Sequence, residues 1–369
     1  MGVSTHRPLV PAIGRQDCEA AEDLRRAPTA DTTALHYNMR VSFRALLALY
    51  LILPLCALVY ALDVVMFDHH LLRVLPKSPR SYFLLSILFG TPHIVASNLI
   101  FLTNRDYFQL YRRRALLATL TIMAFFAIGS LLFSRAVMFV TVSTTTIVHV
   151  IKQQIGIGNM GARLSGRRFH LWGWSIIAAS VILYSAILFP RAISPDVRSL
   201  MNQALMGFAF LIAGGALANQ PRVATGTGTL FLWGNTAMAL VSLFFYSQGY
   251  HFFAVLGPRV IHDCTAFVFY VVHDRNRHFP TPQNWLYKVM RPLRISPVVT
   301  VPAIAVGLTL LQHYADNAVI GIAKDLFDVQ PRRPVSHIFV GYLSMMHYYM
   351  EAFTWKMASP YRRYIAMSP

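Results

Sequence analysis

Residues 44–66 read RALLALYLILPLCALVYALDVVM, and the eighteen positions from 45 to 62 carry no charged side chain. At about 1.5 Å of rise per residue, an apolar run of this length crosses a hydrocarbon core of about 30 Å as a helix. Hydrocarbon offers no hydrogen-bond partner to peptide groups, and a helix bonds its peptide groups to one another. The stretch therefore predicts a transmembrane helix.

Similar apolar runs recur along the chain. Of its 369 residues 55% are hydrophobic and only 13% are charged, a balance that a soluble globular domain does not need. The predicted fold class is therefore all-α, a polytopic transmembrane bundle of about ten membrane helices. These are predicted at residues 44–66, 81–103, 115–134, 136–157, 171–190, 200–218, 228–255, 259–277, 296–313 and 335–355.

The residues that flank the apolar runs set the predicted domain limits. Residues 1–42 mix charges with Pro and Thr and have no apolar core, so they predict a flexible polar tail and no cleavable signal peptide. Residues 43–358 form a single transmembrane domain, and residues 359–369 form a short C-terminal tail. The division between the seventh and eighth helices is open, because Gly257 and Pro258 suit either a loop or a kink in one long helix.

The charge distribution predicts the orientation of the chain in the membrane. The net charge is +18, and the Lys and Arg residues fall in short clusters between apolar runs. With the N-terminus inside, 22 of them lie on the cytosolic side and 10 on the other side. We therefore expect both termini in the cytoplasm, basic loops that contact anionic lipids, and no nucleic-acid partner.

Ionisable residues are concentrated in four of the predicted helices. Such residues are costly inside a membrane and usually mark a functional site. They occur in the second, fourth, eighth and tenth helices, which all run in the same direction. The candidate residues are His93, His149, His262, Asp263, His273, Asp274, His278, His347 and Glu351.

Four of these histidines are predicted to share one depth in the membrane. Each comes about 12 to 14 residues from the outer end of its helix, or roughly 18 to 21 Å. A group of neutral imidazoles in a medium of low dielectric constant is stabilised by a central cation, and imidazole is a common ligand for iron, copper and zinc. The pattern therefore predicts a metal site. Its four histidines are His93, His149, His273 and His347.

The eighth helix contributes further candidate ligands. His262 precedes His273 by eleven residues, close to a whole number of turns, so the two lie on the same helix face. His251 continues this stripe if the helix is unbroken. His278 follows at the cytosolic end, and both His262 and His278 join the predicted ligands.

The tenth helix places an acid beside one of the four histidines. Glu351 follows His347 by four residues and lies on the same face. Two roles are predicted for it: a metal ligand or partner of an imidazole, or a salt bridge to Lys152 inside the bundle. Tyr270, in the eighth helix, is expected to be a packing aromatic.

The order of these motifs resembles the Brp/Blh-type β-carotene dioxygenases, membrane enzymes that cleave carotenoid to retinal. In that family a G-x-P-H segment precedes a histidine on a second helix, a histidine pair on a third, and a last histidine followed by an acid. The resemblance implies an iron ion bound by histidines from several helices. The matching positions are His93 in Gly-Thr-Pro-His, His149, His273 with His278, and His347 followed by Glu351.

The function predicted from these patterns is a membrane-embedded, histidine-ligated non-haem iron oxygenase. Its substrates would be O₂ and an apolar lipid or isoprenoid, carotenoid-like in class, taken from the bilayer. The histidines would bind iron, while Asp263, Asp274 and Glu351 would orient imidazoles or move protons as catalytic residues.

Two alternatives use the same residues. One is a haem-b cytochrome in which histidine pairs bind haem from both faces. The other is a metal-free, proton-coupled transporter in which His and Asp relay protons. The chain lacks the H-E-x-x-H, G-x-S-x-G and P-loop motifs of metalloproteases, serine hydrolases and P-loop NTPases, so those classes are not predicted.

Overall fold

The computed structural model describes residues 39–77, 82, 88, 90–278, 281–327, 335–354 and 359–368. Within these ranges the protein is all-α, apart from one pairing of two-residue strands. Residues 1–38 of the predicted tail lie outside the described ranges. The helices are α1 (Phe43–Met66), α2 (His70–Val74), α3 (Thr91–Thr103), α4 (Arg105–Leu132), α5 (Arg135–Ala162), α6 (Arg167–Leu188), α7 (Pro195–Asn219), α8 (Gly226–Ser247), α9 (His251–His278), α10 (Trp285–Met290), α11 (Pro297–Phe327) and α12 (Val335–Thr354).

Each of the ten predicted stretches overlaps one of these helices, and several helices extend beyond the predicted bounds. Five helices in the described part of the chain are long and apolar enough to cross a membrane: α1, α6, α7 with its 3₁₀ extension to Arg222, α8 and α9. These five helices are consistent with a helical membrane protein. Crossing by the other five predicted stretches stays a prediction.

The distribution of side chains also suits a lipid environment. Large apolar residues point outward; Leu131 is 84% exposed and Phe210 is 73% exposed. In contrast, Asp263, His273 and His347 are fully buried. Because hydrocarbon cannot solvate ionisable groups, they are expected inside the bundle, and this is where they lie.

The break between the seventh and eighth predicted helices was misplaced, because it lies eight residues earlier than residues 256–258. Helix α8 ends at Ser247, and Gly249 adopts φ +79°, a conformation that side-chain-bearing residues rarely adopt. Pro258 lies inside α9, which continues without a break to His278. Membrane helices tolerate such prolines because neighbouring groups satisfy the freed backbone carbonyl.

The two ends of the described domain lie side by side. Strand β1 (Val41–Ser42) pairs in parallel with β2 (Met367–Ser368). Val41 is fully buried and Tyr361, in the preceding 3₁₀ turn, is 5% exposed. Residues 39–42, which the sequence assigned to a flexible tail, and residues 359–368 therefore pack against the bundle.

Helix α9 contacts several of the helices around the candidate site. It packs against α1, α3, α8 and α11, and α12 packs against α3, α4 and α5. Local sequence sets where two of these helices start: Pro92 occupies the first turn of α3, and the Ser134 hydroxyl accepts a bond from the Val137 amide to cap α5. This packing brings together α3, α5, α9 and α12, which carry the buried histidines.

Candidate metal centre

Four imidazole rings from four helices meet inside the bundle. Three of them, on α3, α9 and α12, are at most 2% exposed, and the ring on α5 is 12% exposed. Adjacent rings meet edge to face. Their centroids are separated by 5.1 Å (His93 to His262), 4.9 Å (His93 to His347), 5.0 Å (His149 to His347) and 5.9 Å (His149 to His262).

On one side of this group, two imidazoles meet a carboxylate. We call His93, His262 and Asp263 the first triad. The Nδ1 atom of His93 lies 2.9 Å from Oδ1 of Asp263, and Nε2 of His262 lies 4.0 Å from the same oxygen. One nitrogen or oxygen from each residue lies within 4.8 Å of the others, which is close enough to share a metal ion.

On the other side, His149, His347 and Glu351 form the second triad. The Oε2 atom of Glu351 lies 3.2 Å from Nε2 of His149 and 3.7 Å from Nε2 of His347. The other carboxylate oxygen accepts a hydrogen bond from the hydroxyl of Tyr270. Tyr270, expected to be a packing aromatic, thus holds an acid of the site.

The alternative salt bridge of Glu351 is not formed. The ammonium of Lys152 lies 5.3 Å from the centre of the Trp174 ring, a cation–π distance. Lys152 is exposed, whereas Glu351 is buried among the histidines. Glu351 therefore lies with the imidazoles. This position agrees with its predicted role as a metal ligand or partner of an imidazole.

The two triads have the polar atoms that a metal ion would satisfy. Each of their six residues has at least one buried nitrogen or oxygen without a hydrogen-bond partner among the described residues. Some of these atoms do approach a partner as an ion pair: His93 lies 2.9 Å from Asp263, and His149 lies 3.2 Å from Glu351. Buried polar groups usually have full hydrogen-bond partners, so six residues whose donor atoms converge with incomplete partners fit the donor set of bound cations.

Arg259 was missed as a site residue because it was predicted to lie at a helix end. It lies within α9, one turn before Asp263, and its Nε atom is 2.8 Å from Oδ2 of that residue. The guanidinium passes over Gly90, where a Cβ atom would stand 2.0 Å from Nη2. The signal was the i,i+4 spacing of Arg259 and Asp263, which pairs side chains only on a continuous helix.

His273 does not lie in the four-ring group. His262 occupies the position that was predicted for His273. The error comes from the start of the helix. Helix α9 begins at His251 rather than at residue 259, so His262 is its twelfth residue and has the depth that had been assigned to His273. His251 begins the same unbroken helix, but its ring stacks on Tyr246 outside the site.

Both ring nitrogens of His273 are engaged by protein groups. Nδ1 of His273 lies 2.8 Å from Oδ1 of Asp274 and donates to it, because an ionised carboxylate only accepts. In the neutral ring, Nε2 then accepts from the Tyr107 hydroxyl at 2.8 Å, and that hydroxyl in turn accepts from Nη1 of Arg277. With its lone pair used in this network, His273 has no free nitrogen for a metal ion.

Asp274 and His278 belong to the same outer network. Asp274 also accepts a hydrogen bond from Tyr287, whose ring stacks on His278 at 4.2 Å. Burial, together with the Asp274 carboxylate, holds the pKa of Tyr287 well above its usual value. His278 accepts a bond from the Gln283 amide. Asp274 and His278 therefore lie outside the candidate metal site, and the roles predicted for them there were wrong.

No protein-family model, curated protein or solved structure matches this chain. The resemblance to the Brp/Blh-type enzymes stays a prediction based on motifs. Of the motif positions, His93, His149 and His347 lie in the four-ring group, whereas the pair of His273 and His278 lies outside it. The function of the site is therefore inferred from its donor set.

Proposed function

We propose that this protein is a membrane-embedded non-haem iron oxygenase whose lipophilic substrate enters from the bilayer. One observation carries the proposal: the bundle buries two adjacent groups, each with two imidazoles and one carboxylate. Two histidines and one carboxylate are the donor set of non-haem iron oxygenases, which leaves other coordination positions open. We assign one iron ion to each triad.

The chemistry of the donors argues against structural zinc, magnesium and calcium. Both triads combine nitrogen with carboxylate oxygen, and the described cysteines, Cys56 and Cys264, are free and contribute to neither. Structural zinc sites usually contain thiolates, and magnesium and calcium prefer oxygen ligands alone, whereas two histidines and a carboxylate also hold catalytic zinc; elemental analysis distinguishes zinc from the proposed iron. When bound, iron supplies O₂ activation, which amino-acid side chains do not provide.

The residues around the triads hold the carboxylates in position. Arg259 compensates the charge of Asp263, and the hydroxyl of Tyr270 fixes one oxygen of Glu351. Partners of this kind orient the groups that bind a metal and tune their basicity. A dioxygenase that places both oxygen atoms in its product needs no separate reductant, so the reaction balances with O₂ and the lipid alone.

The spacing of the rings argues against the haem alternative. Two histidines that bind both faces of a haem stand on opposite sides of a flat macrocycle. Here four rings meet edge to face, with centroids 4.9 to 5.9 Å apart. No flat slot for a porphyrin separates any of these pairs.

Elemental analysis of the detergent-purified protein, with its optical spectrum, tests the proposal. About two iron atoms per chain, no Soret band, and iron-dependent O₂ uptake on addition of lipids are expected. A Soret band would move the protein to the cytochromes. Metal-free protein after anaerobic reconstitution with Fe(II) would contradict the proposal and support a transporter.

We also propose that both flanks of the bundle face the cytoplasm. The bias of 22 Lys and Arg against 10 supports this orientation, and the parallel pair of β1 and β2 holds the two flanks at the same end. Cys18 offers a test in a variant in which Cys56 and Cys264 are replaced by Ala. A membrane-impermeant maleimide should label Cys18 in inverted vesicles and not in intact cells; the reverse result would invert the topology.

A further inference from the structure

Arg259 is an arginine inside a membrane-spanning helix. It lies eight residues after the first residue of α9, about 12 Å along the helix axis. Arginine is rare at such positions because its charge must be removed from water, and it is usually paired or functional. Asp263 pairs with its Nε atom at 2.8 Å, and this contact leaves the two Nη groups to be accounted for.

A second arginine of the same helix has a hydrogen-bond partner for each of its three nitrogens. Arg277 donates from Nε to Asn104, from Nη1 to Tyr107 and from Nη2 to Asp106, and its side chain is 8% exposed. The Nη groups of Arg259 form no hydrogen bond within the described part of the chain, and its side chain is 27% exposed. Among the described residues, nothing therefore accepts a hydrogen bond from the two Nη groups of Arg259, which lie beside the candidate metal centre.

The protein makes room for this guanidinium. Nη2 of Arg259 lies so close to Gly90 that a Cβ atom built on this glycine would be only 2.0 Å from it. Any other residue at position 90 would therefore displace the guanidinium. Gly90 opens the Gly-Thr-Pro-His segment that delivers His93 to the first triad. The space above Gly90 thus places the guanidinium of Arg259 next to the segment that carries a candidate metal ligand.

An apolar cleft adjoins the same part of α9. It lies between α5, α6, α8 and α9, and Pro258, the residue before Arg259, is part of its wall. Aliphatic side chains make up most of the lining, which includes Ile151, Leu183, Met238 and Leu243. The cleft itself has room for about one water molecule, about 10 Å³, so the alkyl chain of a ligand would lie in the surrounding bilayer. Among the described residues, a cation with unmatched donors at this place matches a molecule with an anionic head and a hydrocarbon chain.

We propose that Arg259 binds the oxyanion head group of a single-chain amphiphile, and that the substrate class is long-chain carboxylic acids. A guanidinium that presents parallel N–H groups binds a carboxylate or phosphate in two-point fashion. Asp263 then links the head-group site to the first triad, because its two oxygens face Arg259 and His93. The assignment of this ligand as substrate rests on the proposed oxygenase function, whereas binding itself does not.

Equilibrium binding of radiolabelled oleate to the protein in a neutral detergent at pH 8 tests this. Unlabelled oleate should displace the label, and oleyl alcohol and methyl oleate should compete at least tenfold more weakly, because they lack the charge. Equal competition by the alcohol and the ester would overturn the proposal without any variant.

Three variants locate the charge dependence. Arg259→Gln should weaken oleate binding at least tenfold and leave oleyl alcohol binding unchanged, while Arg259→Lys should lie between it and the wild type. Arg277→Gln removes an arginine of the same helix each of whose three nitrogens donates a hydrogen bond within the protein, and it should bind oleate like the wild type. Wild-type affinity in Arg259→Gln would refute the assignment.

Two further measurements are needed. One distinguishes a fatty acid from a membrane phospholipid as the source of the oxyanion, and the other distinguishes failure of the head-group site from failure of the oxygenase function. Dioleoyl phosphatidate that displaces oleate completely at equal concentration would identify a membrane phospholipid as the ligand and overturn the fatty-acid assignment. Oleate binding is also measured after removal of metal by a chelator. Arg259-dependent binding in protein that never takes up iron would reject the oxygenase alone, and iron-loaded protein without that dependence would reject the head-group site alone.

Discussion

The rings of His93 and His262 meet edge to face with centroids 5.1 Å apart, and Asp263 lies against both. This contact joins α3 to α9 at the depth where α5 and α12 deliver His149 and His347. Because each of the four helices contributes one ring, the site forms only when the whole bundle is assembled. Metal binding and helix packing should therefore stabilise each other.

The two histidines of α9 provide a matched pair for testing the site. His262 and His273 are buried to nearly the same extent, at 1% and 0% exposure, but only His262 has an unpaired nitrogen in the first triad. His262→Ala should lose at least half of the bound iron, whereas His273→Ala should keep it. Iron per folded chain, measured after size-exclusion chromatography, decides between them, and equal losses in both variants would reject the assignment.

Each carboxylate should control one iron ion. Asp263→Asn and Glu351→Gln should each reduce the iron content from about two to about one per chain, and the double variant should contain none. Asp63→Asn is the control: Asp63 is also fully buried in a membrane helix, but it accepts bonds from Tyr250 and from the amide of residue 71. A loss of iron in the control, or none in the other two, contradicts this expectation.

The positions of the helices were predictable from the sequence, because apolar runs of about 20 residues have few other structures in hydrocarbon. The ends were less predictable. Pro258 is a helix breaker in water, but it lies inside α9, and the actual break uses the positive φ of Gly249. One misplaced helix start shifted the depth scale of α9, which is why His273 was assigned the position that His262 occupies.

The residues that make up the candidate site were predicted better than their geometry. Ionisable residues inside apolar runs are visible in the sequence, and six of the nine candidates lie in the two triads. The partners were not visible. Tyr270 has the apolar surroundings of any packing aromatic, and only the fold brings its hydroxyl to Glu351. His273 also looks like a ligand until Tyr107 and Asp274 occupy its nitrogens.

Removing the hydroxyl of Tyr270 should loosen iron in the second triad without emptying the site. Tyr270→Phe leaves Glu351 with one unsatisfied oxygen, and loss of such a partner typically weakens metal affinity by about 10- to 100-fold. Competition with a graded series of chelators measures the change. Tyr250→Phe, which removes the hydrogen bond to Asp63 in α1, should leave the affinity unchanged.

The C-terminal segment should stabilise the bundle through Tyr361. Its ring stacks on His273 at 4.1 Å with the two planes 8° apart, and it is almost fully buried. Tyr361→Ala removes this stacking and leaves a cavity, which typically costs about 3 kcal/mol of unfolding free energy for a buried aromatic. Thermal unfolding in detergent should therefore show a lower Tm for Tyr361→Ala and a smaller decrease for Tyr361→Phe, which keeps the ring. Because His273 lies outside both triads, iron per folded chain should equal that of the wild type in both variants. An unchanged Tm in the Ala variant would show that the segment adds nothing to the stability of the bundle, and a loss of iron would show that the outer network supports the metal centre.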